Sequence, residues 1–126
     1  MGETALVVEW MDAGKELVEA LDRENFDVVA AMWLRKSEDD DWRLILATPE
    51  VAKNGPRSTY KKLQQLLEKV GAKIPLSDIT VMDPQEQLIK SFRSAISTGP
   101  GVKGIRFSGN AIDRVFIEDA YIYRVA

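Results

Sequence analysis

The chain has 126 residues, of which 45% are hydrophobic and 29% charged, with a formal net charge of −3. A chain of this length fits one domain over residues 1–126 and can bury a core without disulfides or a structural metal. It contains neither cysteine nor histidine, which excludes thiol redox, zinc fingers, cysteine nucleophiles, Ser-His-Asp triads and His-ligated metals.

The first predicted element is a helix from about Thr4 to Arg23. Leu6, Trp10, Ala13, Leu17 and Leu21 recur there at steps of three and four, widened by Val7, Met11 and Val18. Glu9, Asp12, Glu16 and Glu19 form an acidic ridge that the same spacing sends to solvent. Phe26–Lys36 is rich in β-branched and aromatic residues and apolar on both faces, so it reads as a central strand covered above and below. Helices on both sides would cover it, or helices on one side and a second copy on the other. Trp42–Thr48 is its expected antiparallel partner, joined through the polar turn Ser37–Asp41. The acids Glu38, Asp39, Asp40 and Asp41 lack the spacing of a calcium loop and are expected to be solvated.

Thr48-Pro49 opens a single helical turn that Asn54-Gly55 closes. Pro56 starts the second helix, with Tyr60, Leu63, Leu66, Leu67 and Val70 as its stripe and Gly71 as its stop. Ile79–Met82 is a short strand. Asp83-Pro84-Gln85-Glu86 reads as a helix start with Asp83 at the N-cap, leading into Leu88, Ile89, Phe92, Ala95 and Ile96. Two strands end the chain, Gly104–Ser108 and Val115–Arg124, with Gly109–Asp113 as a long connection. The order α-β-β-α-β-α-β-β predicts an α+β fold, a mixed α/β sandwich with a largely antiparallel sheet of about five strands packed with three helices.

Candidate chemistry is sparse. Arg57, Ser58, Thr59, Lys61 and Lys62 gather hydroxyl and cationic groups at a helix N-terminus, a pattern suited to an anion. Ser58-x-x-Lys61 matches the serine–lysine pattern of penicillin-binding enzymes, but the accompanying Ser-Asp-Asn and Lys-Thr-Gly motifs are missing. The loop carrying Thr98, Gly99, Gly101 and Lys103 has the glycines of a ligand loop, although helix precedes and strand follows it, the reverse of a phosphate loop. Strict alternation sends Glu118 and Asp119 to opposite faces of the last strand, so one is expected inside, ion-paired with Arg106, Arg114 or Arg124. No metal site and no cofactor are expected.

The charge is unevenly spread, 13 acidic against 5 basic residues over 1–50 and 7 against 12 over the remainder. The net negative charge disfavours nucleic acid as a partner. No apolar run approaches the ~20 residues that cross a bilayer, and Met1–Leu6 lack the basic start and apolar core of a secretory leader. No membrane partner is expected, and the expected location is the cytoplasm. The segments Gly104–Asn110, Phe116–Arg124 and Trp42–Pro49 resemble short bacterial hypothetical proteins of about this length. That resemblance implies a bacterial, cytoplasmic protein and assigns no activity or site residue. With no catalytic motif present, the expected function is a non-enzymatic interaction or accessory module forming a homodimer, with a further protein as partner. The alternative is an anion-binding domain or enzyme acting on a phosphate-containing small molecule or nucleic-acid backbone.

Overall fold

A computed structural model describes residues 6–126. Its elements are α1 (Val8–Arg23), β1 (Ala30–Arg35), β2 (Arg43–Ala47), α2 (Glu50–Asn54), α3 (Pro56–Val70), a 3-10 turn (Leu76–Asp78), β3 (Ile79–Met82), α4 (Gln87–Ala95), β4 (Ile105–Ile112) and β5 (Val115–Val125). The class is α+β, with one five-stranded sheet in the order β3-β2-β1-β5-β4. Only β2–β3 pair in parallel, because α2 and α3 intervene between those strands; the other three pairings are antiparallel.

The sheet is covered on both faces within one copy. On one face, Leu17, Val18 and Leu21 of α1 and Leu63 and Leu67 of α3 pack on Ala31, Trp33, Leu44, Leu46, Ile79, Val81 and Tyr123. On the other, Ile89 and Phe92 of α4 pack on Ala30, Met32, Ile45, Ala47, Ala120 and Ile122. Every residue of β1 is buried, so the central strand needs no second copy to shield it.

Several boundaries differ from the sequence reading, each for a local reason. Thr4 and Ala5 of the predicted first helix lie outside the described residues, and α1 begins only at Val8, after an extended Val7 that offers no side-chain cap. The buried seam of α1 runs through Gly14, Leu17, Val18, Ala20 and Leu21. Trp10 stays 41% exposed, edge-on against Trp33 with ring centroids 5.4 Å apart. Asp83–Glu86 forms a turn instead of the first helical turn: Asp83 Oδ1 accepts from the Gln85 N–H, Glu86 Oε2 accepts from the Asp83 N–H, and α4 starts at Gln87.

The predicted long connection Gly109–Asp113 is mostly strand. β4 runs to Ile112, and Asp113 and Arg114, with φ of 49° and 70°, make a two-residue turn of the mirror-image kind that suits hairpins. β4 and β5 keep one register from Ile105↔Ile122 to Ile112↔Val115. The pairing skips Gly109, where φ is 60°, opposite Glu118. Across that gap the buried positions change parity, from Phe107, Ala120 and Ile122 to Ile112, Val115 and Ile117.

A bulge lies elsewhere, between β1 and β5. The register shifts at Ala31/Met32 and leaves Tyr123 without a counterpart. As a result Tyr123 and Arg124, adjacent in sequence, both reach α1. The Tyr123 hydroxyl donates to Met11 O at 2.6 Å, and Arg124 forks onto Asp22.

Candidate functional site

Two of the residues expected to hold an anion already have partners within the chain. Thr59 is buried, and its hydroxyl donates to Gly55 O one turn back at 2.8 Å. Lys62 Nζ lies 3.4 Å from Glu50 Oε1 and 5.7 Å from the centre of the Phe26 ring. Asn54, donating to Glu50 Oε2 at 2.6 Å, and then Lys62 hold the Glu50 carboxyl below its ordinary value. Lys62 therefore already has an anion beside it, supplied by α2. Arg57, Ser58 and Lys61 remain exposed.

The glycine loop is occupied in bracing the sheet. The Thr98 N–H donates to Val125 O and its hydroxyl accepts from the Val125 N–H, both at 2.9 Å. The Lys103 N–H donates to Tyr123 O at 2.7 Å, and Arg124 Nε donates to Gly101 O at 3.4 Å. Gly99 accepts the Thr98 hydroxyl through its carbonyl. Among the described residues no hydrogen bond or ion pair joins this loop to the start of α3.

Of the ion-pair candidates, Arg106 and Asp119 face each other with Nε–Oδ1 2.6 Å, Asp119 raising the Arg106 guanidinium above its usual value. Arg106 also lies over Trp42, 5.8 Å from its ring centre. Arg124 pairs with neither Glu118 nor Asp119. It is buried and meets Asp22 of α1 at 3.0 and 2.7 Å, with a further bond to Val28 O. Sequence reasoning missed Asp22, because a terminal helix aspartate carries no signal of a partner a hundred residues away. Glu118 is half-buried at the parity change of the hairpin.

The acidic turn is built around a cation from the chain itself. Arg35 is buried, with Nε donating to Asp40 O at 3.1 Å and its terminal nitrogen to Glu38 O. Those are the carbonyls a hard cation would seek. No group of three or more Asp or Glu side chains among the described residues is placed to hold a metal ion.

Surface cavities among the described residues include ones of about 360, 270 and 240 Å³. The 360 Å³ cavity is lined by the apolar Leu34, Ile45 and Met82 and by Lys36, Asp40, Asp41, Arg43 and Thr80. None of these three is lined by the predicted anion or loop residues. The Arg43 guanidinium is already engaged, donating to Thr80 Oγ1, Ser77 O and Ile79 O.

The two edges of the sheet differ sharply. β3 has four residues, its Val81 N–H is taken by the Tyr60 hydroxyl at 2.8 Å, and Arg43 binds the carbonyls at its start. β4 has eight residues, of which only Phe107 and Ile112 are not exposed. Its Ala111 N–H meets the exposed Asn110 side chain at 2.8 Å, and no other side chain among the described residues bonds its backbone. It contains no proline and no lysine, the usual devices that block a free edge. Ile105 at its start is 38% exposed, and Phe116 of the neighbouring β5 is 53% exposed. No helix among the described residues is long and apolar enough to cross a membrane.

No family model, no curated protein and no solved structure matches the chain.

Proposed function

We propose that this chain is a non-enzymatic interaction module that works as a homodimer, a bacterial cytoplasmic protein whose contact element is the β4–β5 hairpin. The observation that carries the reading is the open β4 edge. Its outward backbone donors and acceptors, unpaired with any other strand among the described residues, invite another strand, whereas β3 is closed by Tyr60 and Arg43. The candidate acid, base and nucleophile groups are dispersed or already bonded, which weighs against catalysis.

Light scattering across a concentration series tests this. One strand edge offers less than the ~800 Å² per partner of a standard interface, so dimerisation in the micromolar range or weaker is expected. Ser108→Lys, at an exposed edge position, would return the protein to single copies while its circular dichroism stays unchanged. A single-copy mass at every concentration would overturn the reading.

A further inference from the structure

The parity change at Gly109 restricts how a second copy can pair with β4. In a strand, residues on one face send their N–H and C=O groups to the same edge, and in an antiparallel pair directly opposed residues share a face. Before Gly109, Ile105 and Phe107 lie on the α4 face and Arg106 and Ser108 on the other. After it, Asn110 and Ile112 lie on the α4 face, opposite Ile117 and Val115, and Ala111 on the other. The Ala111 N–H meets the Asn110 side chain instead of a strand, so Arg106, Ser108 and Ala111 are the residues whose backbone looks outward.

A two-fold axis through Ser108 or Gly109 would set Arg106 against Asn110 or Ile112 of the copy, crossing faces and matching outward groups with inward ones. The axes between Ser108 and Gly109 and between Gly109 and Asn110 keep like with like on both sides of the parity change. The axis between Ser108 and Gly109 pairs all eight residues: Ile105 with Ile112, Arg106 with Ala111, Phe107 with Asn110 and Ser108 with Gly109 of the other copy. The next allowed axis, between Gly109 and Asn110, leaves Ile105 and Arg106 without a strand residue opposite. Charge permits self-pairing too. Arg106 is the only charged residue of β4, it is neutralised by Asp119 of its own chain, and it would oppose an alanine.

Resting on the homodimer reading above, we infer that two copies join β4 to β4 about a two-fold axis between Ser108 and Gly109, making one continuous ten-stranded sheet. With strands about 4.8 Å apart and a rise of about 3.4 Å per residue, the two Ser108 Cα atoms come within about 6 Å, and the two Asn110 Cα atoms stay about 11 Å apart. Disulfides form at Cα separations of roughly 4.4–6.8 Å.

The absence of native cysteine makes the test clean. Ser108→Cys and Asn110→Cys, each at an exposed position, would be oxidised at a concentration where scattering reports dimer. Ser108→Cys is expected to give a covalent dimer at least about tenfold faster than Asn110→Cys. Linkage of Asn110→Cys in preference, or of both at equal rates, would overturn this register. A dimer by scattering in which neither variant links would overturn the β4 contact while leaving the homodimer in place. A single-copy mass throughout would instead remove the homodimer reading, and this inference with it.

Discussion

Tyr123 of β5 and Trp33 of β1 show how single residues fasten this fold. The Tyr123 hydroxyl reaches Met11 O only because Gly14 has no side chain: a Cβ there would run into the hydroxyl and two ring carbons. Trp33 makes a matching contact, its indole N–H donating to Trp10 O at 3.1 Å. Gly14→Ala is therefore expected to cost about 1–3 kcal/mol, read from the urea midpoint. Tyr123→Phe, losing one hydrogen bond, should cost about 1 kcal/mol. It should not rescue Gly14→Ala, because the ring carbons stay. Burial also pushes the Tyr123 phenol well above its ordinary value. A raised phenol contributes fully below the unfolded value near 10 and loses that contribution as pH rises through the folded value. Alkaline unfolding above about pH 10 should accordingly be steeper in the native protein than in Tyr123→Phe.

At the scale of elements, the β4–β5 hairpin holds the least regular backbone. Asp113 and Arg114 both occupy positive φ without being glycine, which costs about 1 kcal/mol at the second position relative to glycine. Arg114→Gly is expected to raise the thermal midpoint, because Arg114 is exposed and makes no side-chain hydrogen bond or ion pair among the described residues. Gly109→Ala should act oppositely, since φ is 60° there and space is open, so backbone conformation alone decides. Comparing the two melting curves separates turn strain from packing.

Across the whole molecule, Arg124 ties the last strand to the first helix. It is buried on Asp22, Val28 O and Gly101 O. Removing Asp22 would leave a buried guanidinium short of its counter-charge. Asp22→Ala should cost about 1–3 kcal/mol, below the ~3–5 kcal/mol of fully buried pairs because Asp22 itself is 42% exposed. Arg124→Ala, which also empties space beside β5, should cost more. Guanidinium unfolding of both variants gives the comparison. The Arg106–Asp119 pair lies nearer the surface, and its removal should fall within about 1 kcal/mol.

Element type and order were legible in the residues themselves, because burial imposes a period of 2 on strands and 3.6 on helices, and proline and glycine punctuate them locally. The two-sided apolar pattern of β1 announced a strand covered above and below, as it is. What the linear pattern could not carry is anything set by meetings of distant residues. The parallel β2–β3 pair, the Asp22 partner of Arg124 and the bulge at Tyr123 each depend on three-dimensional neighbours. The grouping of Arg57 to Lys62 rested on sequence proximity alone. Folding turned Thr59 inward and gave Lys62 a carboxylate from α2. Periodicity is a local property that each segment records, whereas charge pairing and edge exposure belong to surfaces that exist only once the chain has folded.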